Sequence, residues 1–277
     1  MNILAAKTDS FLKRLIVIIL LAPPVVWIFM ERGLVFYLFF LTVTFLCQYE
    51  LCSMLRMFLK KRHIFLVLLS GILVISDAFF TYSSYLVSII VTLLIIFFII
   101  EIFLGRENKL KNVAFSLFVT VYPSLFAAFF FKIDNLENSF SGDKQHFIVL
   151  FILLTVWIFD IASYLSGMLF GKHKFFPKIS PHKTTEGFIG GIICVFAAGL
   201  AFSLFGKPDY GFHFLAIALI SAVAGQFGDL SESVIKRDIG VKDSSGLLPG
   251  HGGILDRFDS LFFAGPSVYL YLVFWTL

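Results

Sequence analysis

Long apolar runs alternate with short polar connections along almost the whole chain. An α-helix needs roughly 20 apolar residues to cross a bilayer. About nine runs approach that length: Leu15–Met30, Leu34–Leu51, Ile64–Phe80, Tyr85–Leu104, Val113–Phe131, Phe147–Phe170, Phe188–Phe205, Phe212–Leu230 and Phe258–Leu277. The pattern predicts an all-α fold, a polytopic integral membrane bundle of about nine transmembrane helices. The composition agrees, because 59% of the 277 residues are hydrophobic and only 14% are charged, well below the charged fraction of soluble domains.

The polar connections predict the orientation. With nine spans, alternate connections lie on the same side of the membrane. One side holds very few of the 22 lysines and arginines, namely Arg32, Lys132, Lys144 and Lys207. Because lysine and arginine accumulate in cytoplasmic loops, we expect the other side and the N-terminus to be cytoplasmic. This asymmetry accounts for the net charge of +4, so no nucleic-acid partner is expected.

Polar chemistry is concentrated in the second half of the chain. We predict an N-terminal transmembrane region over residues 1–145, with about five spans. A C-terminal catalytic transmembrane region is predicted over 146–277, with long cytoplasmic connections at 171–187 and 231–257. In the first half, Glu50, Asp77 and Glu101 lie near span ends and are interpreted as interfacial anchors.

Asp160 forms the first polar cluster on the cytoplasmic side. It lies in W-I-F-D-I-A-S-Y, about ten residues from the cytoplasmic end of its span. An ionisable residue at that depth is costly and indicates function. The alternative is a carboxylate tied to Ser163 or Tyr164 for helix packing.

The second cluster is the basic connection Gly171–Glu186, which ends in S-P-H-K-T-T-E. Ser180 or Thr184 can cap a following helix, with Glu186 in its first turn. Lys183 and free backbone N–H groups would then lie beside a bound anion. The alternative is a topology determinant that contacts anionic lipid head groups. Gly187 and Gly191 have the G-x-x-x-G spacing of closely packed helices.

The third cluster runs from Asp229 to Asp259 and combines carboxylates, cations and glycines. Carboxylates fall on one helix face at each end: Asp229 and Glu232 before the loop, Asp256 and Asp259 after it. The middle cannot form regular helix and leaves N–H groups that can cradle phosphate, because it contains Gly246, Pro249, Gly250, Gly252 and Gly253. The cations that can neutralise a polyphosphate are Lys236, Arg237, Lys242 and Arg257. His251 is a base, a phosphate donor or part of the turn.

The same residues carry a family resemblance. S-V-I-K-R at Ser233–Arg237 and K-D-S-S-G-L-L-P-G-H-G-G-I-L-D-R-F-D at Lys242–Asp259 resemble the signature of the phosphatidate cytidylyltransferases, also called CDP-diacylglycerol synthases. The resemblance extends to G-D-L-S-E-S at Gly228–Ser233, to S-P-H-K-T-T-E-G and to W-I-F-D-I-A-S-Y. It covers about the last 120 residues by motif.

The resemblance implies the reaction CTP + phosphatidate → CDP-diacylglycerol + pyrophosphate, with Mg²⁺ and room for a second cation. Asp229 and Asp256 are then the metal ligands. The expected phosphate contacts are Lys236, Arg237, Lys242, His251 and Arg257, with Lys183 at the lipid phosphate. The rest of the expected substrate site comprises Asp160, Ser180, Glu186, Glu232, Gly252, Gly253 and Asp259.

The resemblance also implies the surroundings of such an enzyme. CTP and phosphatidate are the expected partners, the chain is embedded in the lipid bilayer, and a homodimer is a family expectation. The expected location is a cell membrane, the inner membrane of a bacterium, with the active site facing the cytoplasm.

Two other functions stay open, and one is disfavoured. The substrate can be another lipid phosphate, such as an ether-linked one. An ion-coupled transporter would use buried carboxylates as cation sites, but it predicts charges in several spans and an inverted repeat. A CDP-alcohol phosphotransferase is disfavoured because its D-G-x-x-A-R…G-x-x-x-D-x-x-x-D pattern is absent.

Overall fold

The described residues form an all-α membrane fold with one small β-hairpin. A computed structural model describes residues 20, 22–55, 61–105, 108–141, 147–205, 212–247 and 252–276. Residues 22–31 form the described part of α1. The other helices are α2 (Gly33–Met54), α3 (Lys61–Phe80), α4 (Leu86–Leu104), α5 (Lys109–Thr120), α6 (Phe126–Ser141), α7 (Ile148–Phe170), α8 (Thr185–Phe205), α9 (His213–Ile239) and α10 (Leu255–Thr276). Strands β1 (Lys174–Phe176) and β2 (Ser180–Thr184) precede α8.

Eight helical segments among the described residues are long and apolar enough to cross a membrane. They correspond to the second through ninth predicted spans, so the predicted fold class is confirmed. The predicted first span, Leu15–Met30, begins outside the described residues. The predicted fifth span is one helical segment, Lys109–Glu137, which comprises α5, a π-helical turn at Val121–Leu125 and the start of α6.

The chain forms two compact units. Unit 1 comprises Met1–Ser124 and Asp243–Arg257, and unit 2 comprises Leu125–Lys242 and Phe258–Leu277. In unit 1, α3 packs against α2, α4 and α5. In unit 2, α8 packs against α7 and α9, and β2 packs against α8.

The π-helical turn at Val121–Leu125 follows from Pro123. A proline has no N–H, so it cannot donate to the carbonyl four residues earlier, which here belongs to Val119. Gln48 of α2 replaces that donor, because its Nε2 lies 3.4 Å from the Val119 oxygen. The interruption is therefore satisfied by a side chain from a neighbouring helix, as an apolar environment requires.

Polar side chains also join the helix ends of unit 1. Glu101, near the end of α4, lies 3.0 Å from His63 Nε2 and accepts a hydrogen bond from Asn112 Nδ2 at 3.1 Å. Asp77 accepts hydrogen bonds from Tyr85 N at 3.2 Å and from the Thr81 hydroxyl in the turn between α3 and α4. Both carboxylates are buried. Interpreting them as interfacial anchors was wrong, because inside the protein Asp77 holds a turn and Glu101 contacts α3 and α5.

Small residues bring α7 and α8 together in unit 2. A Cβ added to Gly187 would lie 2.7 Å from the Ser163 carbonyl oxygen, and one added to Gly191 would lie 2.7 Å from the Phe159 ring. Only glycine permits so close an approach. The packing role predicted for this G-x-x-x-G pair is confirmed.

Candidate active site

An ion pair in unit 2 joins two of the predicted clusters. Lys183 Nζ, near the end of strand β2, lies 2.5 Å from Asp229 Oδ2 on α9. The two side chains are 23% and 34% exposed, so the pair is open to a ligand. Ser233 lies one helical turn further along α9, and its hydroxyl donates to Asp229 Oδ1 at 3.4 Å.

More carboxylates lie next to this ion pair. Glu232 is buried and accepts a hydrogen bond from Lys236 Nζ at 2.7 Å. Asp259 of α10 is also buried and interacts with both Asp229 and Glu232. Gly228 permits this arrangement, since a Cβ there would collide with the Asp259 backbone oxygen. The result is a cluster of three carboxylates and two lysines.

The hairpin that carries Lys183 is held by the start of α8. Thr184 Oγ1 accepts a hydrogen bond from Gly187 N at 3.1 Å and so caps α8, as predicted. Glu186, in the first turn, accepts hydrogen bonds from the backbone N–H groups of Lys172 and His173 and contacts the His173 ring at 2.6 Å. Through these contacts Glu186 positions the hairpin. Ser180 begins β2 and pairs with Phe176 of β1.

Asp256, in unit 1, organises the two ends of the glycine-rich loop. Its Oδ2 accepts hydrogen bonds from Gly253 N at 2.7 Å, Ser244 N at 3.1 Å and Ser244 Oγ at 3.0 Å. The bond to an N–H three residues earlier is the reach-back of a helix capping box. Gly252 adopts a φ of +79° and leaves space beside the Asp256 carboxylate.

Glu50 is the site residue that the sequence pattern did not identify. It is 1% exposed, and its carboxylate accepts four hydrogen bonds from residues 243–257. The donors are Ser244 Oγ at 3.0 Å, Ser245 Oγ at 2.5 Å, Ile254 N at 2.9 Å and Leu255 N at 2.8 Å. The signal in the sequence was a carboxylate within a long apolar run. Interpreting it as an anchor was wrong.

The remaining predicted residues divide by exposure. Arg237, Lys242 and Arg257 are exposed, and Arg237 donates to the Val241 carbonyl at 3.2 Å. Asp160 is exposed on α7, whereas its depth in the span had indicated an enclosed carboxylate. His251 lies outside the described residues. The substrate roles assigned to these residues stay predictions.

The two predicted metal ligands are chemically suited to Mg²⁺. This ion favours one or two carboxylates together with substrate phosphate oxygens. Asp229 is partly exposed and already has a cationic partner, the Lys183 ammonium. Asp256 is half-buried, and its orientation is fixed by Ser244 and Gly253. Across the described ranges, no group of three or more His, Cys, Asp or Glu side chains is arranged to hold a metal ion.

The fold defines a polytopic helical membrane protein. Its carboxylates, lysines and glycine-rich loop lie within the sequence signature described above. The chain belongs to the cytidylyltransferase family, whose model matches residues 12–275.

Similar proteins carry a more specific name. The chain is 42% identical over 165 residues to the phosphatidate cytidylyltransferase of Staphylococcus aureus (strain COL), which covers 58% of this chain and 60% of that protein. It is 48% identical over 126 residues to the phosphatidate cytidylyltransferase of Staphylococcus saprophyticus subsp. saprophyticus, which covers 45% of this chain and 48% of that protein. The chain thus spans about half to three fifths of the length of the curated relatives it matches.

Proposed function

We propose that the protein transfers the cytidylyl group of CTP to phosphatidate, forming CDP-diacylglycerol and pyrophosphate. The family match and the names of the relatives support the reaction class and the substrates. The observation that carries the proposal is the ion pair between Lys183 and Asp229. It joins the S-P-H-K-T-T-E-G and G-D-L-S-E-S segments at an accessible position in unit 2.

The reaction requires alignment and charge neutralisation more than a protein nucleophile. An oxygen of the lipid phosphate attacks the α-phosphorus of CTP, the bond from that phosphorus to the bridging oxygen breaks, and pyrophosphate leaves. Two anions have to approach each other, so positioned cations and oriented N–H groups lower the barrier. Lys183 can hold the lipid phosphate, because its ammonium can exchange Asp229 for a phosphate oxygen. Lys236, Arg237, Lys242 and Arg257 supply further positive charge.

On the family resemblance, Asp229 and Asp256 are the proposed Mg²⁺ ligands, and the ion would supply charge neutralisation at the transferring phosphate. Asp259 and Glu232 add negative charge beside Asp229, which favours a cation there. A second cation is compatible with this charge.

The protein is an integral membrane protein, and we place its active site on the cytoplasmic face of a bacterial inner membrane. The asymmetric distribution of lysine and arginine supports this orientation. CTP would then enter from the cytoplasm and phosphatidate laterally from the bilayer. A homodimer is proposed on the family resemblance alone.

The direct test uses purified protein in detergent micelles with CTP labelled at the α-phosphate, Mg²⁺ and phosphatidate. We expect the label in the lipid extract and pyrophosphate in the aqueous phase. EDTA should abolish the transfer, and added Mg²⁺ should restore it. A diether phosphatidate assayed in parallel distinguishes the ether-linked alternative. Absence of labelled lipid with every phospholipid acceptor would refute the enzyme proposal and leave the transporter alternative.

The metal role has its own test in Asp229→Asn and Asp256→Asn. Each should lower activity by on the order of 100-fold or more, since even outer-shell partners of a metal contribute 10- to 100-fold. Thermal unfolding in detergent checks that each variant is folded. Full activity in either variant would remove that residue from the metal site.

A further inference from the structure

We propose that Glu50 is a positioning residue that fixes both ends of the glycine-rich loop, Asp243–Leu247 and Gly252–Arg257, and thereby orients Asp256. The part of the proposal that concerns the reaction rests on the proposed function. The part that concerns the loop stands on the contacts within unit 1.

The contacts of Glu50 are distributed over both loop ends. Ser244 and Ser245 belong to the first end, and Ile254 and Leu255 belong to the second. Each carboxylate oxygen accepts one hydroxyl and one backbone N–H: Oε1 takes Ser245 and Ile254, and Oε2 takes Ser244 and Leu255. A single buried side chain on α2 therefore joins two segments that the loop separates.

The second loop end is also the start of α10. The first N–H groups of a helix have no intrahelical acceptor, and a carboxylate beside them is favoured by the helix dipole. Glu50 supplies that acceptor to Ile254 and Leu255 from another helix. Asp256 supplies it to Gly253 at 2.7 Å. The start of α10 thus depends on two carboxylates, one of which is the predicted metal ligand.

Ser244 connects the two carboxylates directly. Its hydroxyl oxygen lies 3.0 Å from Glu50 Oε2 and 3.0 Å from Asp256 Oδ2. A hydroxyl has one proton and donates to one acceptor at a time, so a change at Glu50 alters the hydrogen bonding of Asp256. Gly253 fits the same arrangement, because a Cβ there would lie 2.6 and 2.7 Å from the Glu50 oxygens.

Both oxygens of the Glu50 carboxylate have to be acceptors to bind the two backbone N–H groups, so a side chain of the same shape does not replace it. In Glu50→Gln one oxygen becomes an NH₂ group, which is a donor. Whichever oxygen is replaced, either Ile254 N or Leu255 N then faces a donor and loses its acceptor. A buried N–H without an acceptor is strongly unfavourable, so this variant should loosen the loop selectively.

Hydrogen–deuterium exchange of the purified protein without ligands tests the loop. In Glu50→Gln we expect exchange of peptides covering 243–257 to increase about tenfold or more. The matched control is Glu101→Gln, which changes another buried carboxylate of unit 1 that binds Asn112 and His63. It should raise exchange at 61–112 and leave 243–257 at the wild-type level. If Glu50→Gln does not fold, Ser245→Ala removes the 2.5 Å bond to Glu50 Oε1 and the 3.2 Å bond that Ser245 Oγ accepts from Leu247 N. Through the lost bond to Glu50 it should raise exchange at 252–257 to a smaller extent.

A second measurement tests the consequence for the reaction. We expect Glu50→Gln to raise the Mg²⁺ concentration for half-maximal activity about tenfold at a wild-type content of folded protein. A purely structural role would lower the amount of folded protein and leave that concentration unchanged. Wild-type loop exchange in both Glu50→Gln and Ser245→Ala would overturn the proposal. If exchange rises but the Mg²⁺ dependence of activity does not change, the proposed role of Glu50 in orienting Asp256 is refuted. If the wild-type protein transfers no cytidylyl group, the proposed function fails while the exchange measurement still decides the role of Glu50.

Discussion

The ion pair between Lys183 and Asp229 is partly exposed, so it contributes more to ligand binding than to stability. The side chains are 23% and 34% exposed, and partly exposed ion pairs contribute about 0–1 kcal/mol to the free energy of unfolding. The close approach of 2.5 Å therefore does little to hold unit 2 together. The pair instead places the Lys183 ammonium beside carboxylates, where a phosphate oxygen can bind the ammonium in place of Asp229 or together with it.

We expect Lys183→Ala to lower kcat/KM for phosphatidate about 10- to 100-fold, the effect of losing one charge-assisted hydrogen bond. The free energy of unfolding should change by no more than about 1 kcal/mol. Initial rates over a range of phosphatidate in mixed micelles measure the first quantity, and thermal unfolding measures the second.

Lys174→Ala is the control for Lys183→Ala, because Lys174 is an exposed lysine of the same hairpin, at the β1 position that pairs with Thr184. It should retain wild-type kcat/KM. Equal losses in the two variants would mean that the hairpin acts through its overall charge.

At the residue scale, predictability from the sequence depended on distance along the chain. Lys183 lies in a short motif whose helix cap could be anticipated from Thr184 and Glu186, and the structure confirms that cap. Glu50 lies about 200 positions from its hydrogen-bond donors. Local patterns contain no information on such a pairing, and a carboxylate near a span end resembles an anchor.

Side chains supply hydrogen-bond acceptors to the starts of α7, α8 and α10. Glu137 of α6 accepts hydrogen bonds from Phe147 N at 2.6 Å and Ile148 N at 3.1 Å at the beginning of α7. Thr184 caps α8, and Glu50 and Asp256 cap α10. Unpaired N–H groups are expensive in an apolar environment, so carboxylates near span ends do structural work as well as chemistry.

The sequence predicted the helices better than the short elements between them. Hydrophobic runs are long and nearly uniform, so α2, α7 and α8 could be located from composition. The sequence predicts a loop where β1 and β2 form a hairpin, because strands of three and five residues are too short to give a periodic pattern. The shape of the hairpin depends on Glu186, whose hydrogen-bond donors Lys172 and His173 lie 14 and 13 positions away along the chain.

Gly191→Ala tests the close packing of α7 and α8. The added methyl group would lie 2.7 Å from the Phe159 ring and against the Ser163 hydroxyl, and Phe159 is buried. Overpacking of this kind costs about 1–3 kcal/mol. We expect a lower unfolding midpoint in detergent.

Gly225→Ala is the control for Gly191→Ala. The nearest atom to a Cβ at Gly225 lies at 3.4 Å, an ordinary contact. Alanine is the better helix former by about 1 kcal/mol, so this variant should be as stable as the wild-type protein or more so. Equal midpoints for the two variants would show that the α7–α8 contact tolerates a methyl group.

At the scale of the whole molecule, lysines and arginines are distributed unevenly between alternate connections, as the positive-inside rule predicts. The connections with few lysines and arginines alternate with strongly basic ones, and the hairpin at 171–184 is the most basic of those the structure describes. The number of spans follows from hydrophobic runs. Among the described residues, eight of the nine predicted runs correspond to a helical segment long and apolar enough to cross a membrane, and α1 is the described part of the first run. The side of the membrane follows only from the charges, because helix length and hydropathy are the same in either orientation.

Single-cysteine labelling tests that orientation. Cys47 and Cys52 are buried and Cys194 is exposed, so Cys194→Ser is the background. Ser84→Cys places a thiol in the exposed turn between α3 and α4, and His182→Cys places one on the exposed part of β2. If the N-terminus is cytoplasmic, a membrane-impermeant maleimide should label Ser84→Cys in spheroplasts of cells that express the protein. It should label His182→Cys only in inverted vesicles, and detergent should make both thiols reactive. The opposite pattern would put the Lys183 hairpin on the face away from cytoplasmic CTP and contradict the proposed entry of the nucleotide. Labelling of both thiols from one side would contradict the predicted number of spans between them.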